Sequence, residues 1–114
     1  TTLGYATLSS DTLGSRTVAI GYEALGSQNF TTATNAYNVA VGYSAGNVVT
    51  TGIQNTLIGG LAGDALTDAD FNVAVGVAAL QQGSIYQSVN RPKPKFLAFG
   101  FSLGHLILRQ RHLA

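Results

Sequence analysis

Five copies of one eight-residue segment lie in register along the chain, and this repetition restricts the fold more than any other feature. The copies read TTLGYATL, VAIGYEAL, VAVGYSAG, TLIGGLAG and VAVGVAAL. They share the glycines Gly4, Gly21, Gly42, Gly59 and Gly76, which are separated by 17, 21, 17 and 17 residues. Such a period is too short for a strand, a crossover helix and two loops, which need about 30 residues. The repeat therefore predicts an all-β fold, a single-stranded parallel β-solenoid or β-roll of about 17 residues per coil.

Residues alternate in size within each segment, as in a β-strand with two different faces. One face carries larger apolar side chains, such as Val18 and Tyr22, and the other carries small ones. We expect the larger side chains to point into the roll, which would bury Ile20, Val41, Ile58 and Val75 almost completely. The small face would then be an exposed apolar strip, made by Ala19, Gly21, Ala40, Gly42, Ala74 and Gly76 together with Ala24, Ala45, Ala62 and Ala79.

The rest of each coil predicts a turn, a shorter return strand at positions such as 48–51 or 65–67, and a second turn. No helix is expected before residue 80. Asn38, Asn55 and Asn72 fall at equal phase before the strands and predict a ladder of amides along the solenoid axis. Asparagine's tolerance of turns is the alternative explanation. The four extra residues between Gly21 and Gly42 predict a bulging loop around 29–35.

The chain divides into β-roll repeats over residues 1–80, in five coils, and a different sequence over 81–114. All five acidic residues precede residue 71, whereas five of the six basic residues follow residue 90. The tail contains a connector, Arg91–Lys95, whose prolines disfavour a central strand. Residues 97–104 can be laid over 39–46 with Gly100 in the glycine position. This predicts a degenerate sixth coil that pairs 97–101 with 73–77. The alternative is a coincidental apolar run in an irregular C-terminal cap, and a helix across 96–108 would decide against the sixth coil.

The repeated segments VAIGYEAL, NVAVGYSAG and NTLIGGLAG resemble the YadA-like head repeats of trimeric autotransporter adhesins and, more closely, related repeats of phage tail-fibre proteins. The resemblance covers Thr1 to about Leu80. It implies a left-handed parallel β-roll, a homotrimer of side-by-side rolls, and an extracellular place on a virion tail fibre or a bacterial cell surface. It also implies attachment to a host cell surface or an extracellular matrix component. Phage and bacterial origins both remain open, and the tail after Gln81 departs from the pattern.

The energetics of a single coil also favour self-association. Each coil offers about three large inward side chains, and the entropy of ordering its backbone opposes folding strongly. More apolar burial is needed than one chain supplies. We therefore expect the chain to be unstable as a monomer and to form a trimer that covers the apolar strip.

Residues that catalysis requires are scarce in the repeats. The chain has no cysteine, and its two histidines, His105 and His112, both lie in the tail. We therefore expect no enzyme, no catalytic or cofactor-binding residues and no cofactor. The acids Asp64, Asp68 and Asp70 are interpreted as a solvated surface rather than a metal site.

The remaining composition bears on partners. The basic charges of the tail are spread over about twenty residues, which favours a solubilising role over nucleic-acid binding. The apolar run 96–108 is shorter than the roughly 20 residues of a membrane span, so no span is expected. The residues that would contact a receptor are not identified by the sequence.

A threonine-faced ice-binding or surface-binding β-solenoid is the alternative function from another class. Thr12, Thr50, Thr67 and Ser84 fall at one phase of the 17-residue frame. Such a function needs regular ranks of threonine on a flat face.

Overall fold

The repeated segments form the strands of one parallel sheet. A computed structural model of the protein describes residues 1–81 and 97–99. Its strands are β1 (Thr2–Leu3), β2 (Gly14–Ser15), β3 (Val18–Ile20), β4 (Thr34–Asn35), β5 (Val39–Val41), β6 (Thr56–Ile58), β7 (Val73–Val75) and β8 (Leu97–Phe99). Six of these make a sheet in the order β1-β3-β5-β6-β7-β8, and β2 pairs with β4 in a second sheet.

The register of the large sheet follows the repeat. Val18 pairs with Val39, Val39 with Thr56, and Thr56 with Val73, always in parallel. Backbone bonds continue past the strands, as where the Leu61 amide donates to the Tyr43 carbonyl at 2.8 Å. The described residues contain no helix. The prediction of an all-β parallel solenoid with coils about 17 residues apart is therefore confirmed.

Each coil bends at corners where the backbone has a positive φ. Twelve residues other than glycine have φ between 51° and 63°, a region that side chains usually avoid. They fall in three rows along the solenoid. One row contains Glu23, the second Leu25 and the third Tyr37, each with the residues at the same place of other coils. Bonds between coils hold these corners, since the Glu23 amide donates to the Tyr5 carbonyl at 2.9 Å and the Leu25 amide to the Ala45 carbonyl at 3.0 Å.

The shared glycines stack directly on one another. Gly42 has a φ of 137°, and a Cβ added there would lie 2.6 Å from the backbone of Gly59. Gly21 and Gly59 have the same relation to the glycine of the following coil. Glycine is therefore needed in this row both for its backbone angle and for the close approach of the next coil.

The prediction for the two strand faces was wrong. Ala19, Ala40, Leu57 and Ala74 are fully buried, whereas Ile20, Val41 and Val75 are only partly buried and Ile58 is 40% exposed. The small residues thus line the interior of the roll and the larger ones face outward. Ala24, Ala45, Ala62 and Ala79, also expected on an exposed strip, are fully buried.

The narrowness of the roll explains this inversion. The interior is filled by leucines from the corner after the strand, Leu25 and Leu80, and by Val49 and Leu66 from the return segment. These side chains reach the inner side of the strand, so alanine is the residue that fits there. Leu57 is the exception, and its Cδ atoms occupy the space beside Gly46 and Gly63, the glycines that replace leucine in the corner row.

The rest of the coil differs from expectation in two places. Residues 48–51 and 65–67 are not strands, although the Thr50 amide donates to the Thr67 carbonyl at 2.7 Å. The predicted loop at 29–35 is exposed over 31–33, but Phe30 is buried and Thr34–Asn35 forms β4 against β2. The four extra residues are therefore partly accommodated by the second sheet.

The asparagine ladder is present. The side-chain oxygen of Asn38 accepts the Asn55 amide at 2.9 Å, and that of Asn55 accepts the Asn72 amide at 3.0 Å. Asn72 also donates from its side-chain nitrogen to Asn55 Oδ1 at 3.0 Å. All three asparagines are fully buried. The ladder therefore connects side chains to the backbone of the next coil as well as to one another.

Strand β8 pairs with β7 in parallel, with Val73 opposite Leu97 and Val75 opposite Phe99. This is the register of the predicted overlay, with 24 residues between partners. The connector and the other residues of the predicted sixth coil or cap lie outside the described residues.

Candidate functional site

The outward side of the large sheet is apolar except for Thr56. We define the outer strand face as Leu3, Val18, Ile20, Val39, Val41, Thr56, Ile58, Val73 and Val75. It carries no charged residue. Leu3 is 68% exposed and Ile58 is 40% exposed, and the other members are partly buried. Strand alternation places these side chains outward because the alanines of the same strands fill the interior.

A row of stacked tyrosines borders the outer strand face, two residues past the strand ends. Tyr5 and Tyr22 have ring centroids 5.4 Å apart with planes inclined by 16°, and Tyr22 and Tyr43 are 5.3 Å apart at 10°. The rings are 74%, 43% and 60% exposed in chain order. The carboxylate of Glu23 raises the pKa of Tyr22 because it disfavours a second negative charge nearby. The next two coils place Gly60 and Val77 in this row.

A polar chain runs inside the roll at the opposite end of the strands. Gln28 donates from Nε2 to Asp11 Oδ2 at 2.8 Å, and its Oε1 accepts from Asn38 Nδ2 at 2.7 Å. Gln28 and Asn38 are fully buried, and this chain leads into the asparagine ladder. At its far end Asn72 Oδ1 is a buried acceptor without a hydrogen-bond partner among the residues that the structure describes. These contacts satisfy interior polar groups and fix the relative position of the coils.

A fourth exposed tyrosine, Tyr37, lies at another corner. The guanidinium carbon of Arg16 is 5.8 Å from the centroid of the Tyr37 ring, within the range of a cation–π contact. Arg16 also donates from Nε to Asn35 Oδ1 at 3.0 Å. Tyr37 thus already has a cationic neighbour from its own chain.

The acidic residues singled out in the sequence, Asp64, Asp68 and Asp70, lie in different surroundings. Asp70 accepts the Ile53 amide at 2.8 Å, and Asp68 accepts from the Thr67 hydroxyl at 3.5 Å. Partial burial raises the pKa of Asp64. Across residues 1–81 and 97–99, no three acidic, histidine or cysteine side chains are grouped so that they could hold a metal ion. His105 and His112 lie outside the part of the chain that the structure describes.

The threonine rank of the alternative function is interrupted. Thr50 and Thr67 are adjacent and exposed, and the Thr50 hydroxyl donates to the Thr67 carbonyl at 3.1 Å. The preceding place in the rank belongs to Asn29, whose amide donates to the Thr50 carbonyl at 3.0 Å. Asn29 therefore separates Thr12 from the other two, and Ser84 lies outside the described residues. The described coils offer two neighbouring threonines rather than a regular array.

Comparison of the chain with protein-family models, curated proteins and solved structures gave no match. A search of the described residues for a helix long and apolar enough to cross a membrane also found none.

Sequence reasoning missed two of these features, the outward direction of the larger strand face and the tyrosine row. Tyr5, Tyr22 and Tyr43 were visible as a repeated position after the shared glycine. They were assigned to the interior because period-two alternation does not show which face is buried. Their equal spacing from the strand end was the signal that could have identified the row.

Proposed function

We propose that this chain is a non-enzymatic segment of an extracellular attachment fibre and that it assembles as a homotrimer through the outer strand face. The support is the composition and position of that face. It spans five neighbouring strands, about 19 Å at the usual strand spacing, without a charge. Continuous apolar surface of this kind marks interaction sites in soluble proteins.

The inverted strand faces alter the trimer originally expected. The small face lies inside the roll, so it is not the contact between chains. The larger side chains offer more apolar area for association than alanine and glycine would. Ile58 and Leu3 are the most exposed members of the face and would gain most from a partner.

A second copy of this chain is the partner that fits this surface. Closed symmetry around one axis covers every copy of the face and leaves no copy unpaired. The number three comes from the resemblance to trimeric adhesin and tail-fibre repeats. Three parallel rolls would present three copies of each outward corner, and weak contacts to a host surface would then reinforce one another. A phage fibre and a bacterial adhesin both fit this proposal, with a host cell surface or matrix component as the ligand.

The oligomeric state tests the association. Light scattering coupled to gel filtration should give the mass of three chains at micromolar concentration. Ile58→Lys places a charge in the centre of the face and should shift the mass to that of one chain or unfold it. Ser27→Lys adds the same charge at an exposed position. Ser27 bonds to the neighbouring coil through its backbone amide, which the substitution keeps, so this variant should remain trimeric. A folded, monodisperse wild-type monomer would refute the association.

Attachment is tested separately on labelled protein with panels of bacterial and animal cells. Wild type and Ser27→Lys should be retained equally on a cell type that binds. Ile58→Lys should be washed off faster, because a single chain loses multivalent contact. Equal retention of trimer and monomer would contradict a multivalent role.

A further inference from the structure

The tyrosine row has a gap where the fourth ring would stand. Tyr43 is followed in the row by Gly60, because the Leu61 amide bonds to the Tyr43 carbonyl and the Ala78 amide to the Gly60 carbonyl, each at 2.8 Å. Val77, 68% exposed, occupies the place after Gly60. We name this gap the Gly60 notch, with Tyr43 and Val77 as its walls and Gly60 as its floor.

Nothing in the fold requires glycine at the floor of the notch. Gly60 lacks the positive φ of Gly42 and Gly59. A Cβ added at Gly60 would meet only the Tyr43 carbonyl oxygen, at 4.0 Å, whereas one at Gly42 would lie 2.6 Å from the next coil. A larger side chain could therefore stand there, and its absence leaves one face of the Tyr43 ring uncovered.

The dimensions of the notch suit one ring. Two coil steps separate Tyr43 from Val77, which is about 9.6 Å at the usual strand spacing. A ring halfway between the walls would lie about 4.8 Å from each, close to the 5.3 Å between the centroids of Tyr22 and Tyr43. The row thus provides a stacking surface, and the notch limits the occupant to the thickness of one ring.

The charge and polarity of the protein around the notch restrict which kind of ring can bind there. The described residues 1–81 contain one base, Arg16, which contacts Tyr37 at another corner, so among them the notch has no cluster of bases for a phosphate-bearing ligand. The notch is open to solvent, so the outer edge of its occupant stays hydrated. Tyrosine suits a ligand with an apolar face and polar edges, since it is itself amphipathic.

We propose that the Gly60 notch binds a neutral hexopyranose ring of a surface glycan, stacked on the free face of Tyr43. The proposal rests on the attachment function and supplies its ligand class. The notch is formed within one chain, so sugar binding does not depend on the trimer and can be measured whatever the oligomeric state.

The test uses the full chain with 13C-labelled tyrosine and methyl glycosides of glucose, galactose, mannose and N-acetylglucosamine at millimolar concentrations. The ring signals of Tyr43 should move most with at least one sugar, and those of Tyr37 should not move. Gly60→Tyr fills the notch and should weaken binding at least about tenfold, a loss of about 1.4 kcal/mol. Ser27→Tyr adds a matched tyrosine elsewhere and should bind as wild type does. Tyr43→Ala removes one wall and should weaken binding roughly 2- to 12-fold.

Several results would overturn the proposal. No movement of Tyr43 with any of these sugars in folded protein would do so, as would unchanged binding in both Gly60→Tyr and Tyr43→Ala. Equal movement at Tyr5 would show general stacking on exposed rings rather than binding in the notch. Binding of N-acetyltyrosinamide or uridine monophosphate without any sugar would assign the notch to an aromatic side chain or a nucleotide. Light scattering on the same samples reports the trimer separately, so failure of one proposal is distinguishable from failure of the other.

Discussion

Leu57 is the large side chain that enters the interior from the inner row of the strands, and its replacement tests how the coils are packed. Leu57 is fully buried, and leucine-to-alanine changes at such sites cost about 2–5 kcal/mol of unfolding free energy. We expect Leu57→Ala to fall in this range. The cavity would lie beside Gly46 and Gly63, since the Leu57 Cδ atoms are the nearest neighbours of a Cβ built at either position.

The same geometry predicts that a second change restores the lost stability. Gly63→Leu alone should destabilise, because its Cβ would lie 2.7 Å from Leu57 Cδ2. In the Leu57→Ala background the two nearest atoms are removed, and Leu66 Cδ1 at 3.2 Å is the remaining close neighbour. Leu25 and Leu80 occupy the same corner in other coils with φ of 51° and 56°, so leucine fits this backbone at a cost of about 1–2 kcal/mol. Leu57→Ala/Gly63→Leu should therefore be more stable than the sum of its single changes by about 1–3 kcal/mol.

Urea unfolding followed by circular dichroism measures this coupling. Protomer concentration must be held constant, because self-association would make stability depend on it. Leu57→Ala/Gly60→Leu is the matched control, since it has a similar composition but places the new leucine on the open floor of the notch. That control should recover none of the core stability. Additive effects for Leu57→Ala and Gly63→Leu would refute the idea that these positions share one volume.

Two further changes test the glycine row and the asparagine ladder. Gly42→Ala should lower the free energy of unfolding by at least about 1–3 kcal/mol from backbone strain alone, and steric overlap adds to this loss. Gly60→Ala should stay within about 0.5 kcal/mol of wild type in the same urea experiment. Equal effects would contradict the close approach at Gly42. Asn55→Ala leaves the Asn72 amide and the Ala69 carbonyl without their Asn55 partners and should cost about 1–3 kcal/mol of unfolding free energy for each group. Asn29→Ala removes an exposed side chain and should change stability little. Equal melting temperatures for the two variants would contradict the role of the ladder.

The fold could be predicted because the repeat indicates directly which residues of neighbouring strands pair. The shared glycine recurs at a fixed place in every segment, and the parallel register places each one on the next. The asparagine ladder followed from the same periodicity. The second sheet could not be foreseen, because Thr34–Asn35 and its partner Gly14–Ser15 both lie outside the repeated segment and show no common sequence pattern.

The prediction of which strand face is buried failed for a physical reason. Alternation with period two gives two faces but does not say which one is buried, and the larger face was assigned to the interior. A sign of the true arrangement was present in the segment TLIGGLAG. There leucine replaces alanine at position 57, while glycine stands at 63 where three other segments have leucine. Residues that exchange volume in this way share a space, which places Leu57 and its row inside the roll.

The coil that departs from the repeat inside the roll is also the one that departs outside it. Backbone hydrogen bonds along the large sheet follow one pattern in the described coils, so they do not distinguish the coil of Leu57 from its neighbours. The fit of Leu57 between Gly46 and Gly63 does, because no other coil carries a large side chain at that place. Gly60 lies three residues further along the same coil. Backbone bonds from Leu61 to Tyr43 and from Ala78 to Gly60 hold Gly60 in the tyrosine row. Because Leu57 and Gly60 lie on the same coil, we expect a change that loosens the core at this coil to alter the notch on the surface as well.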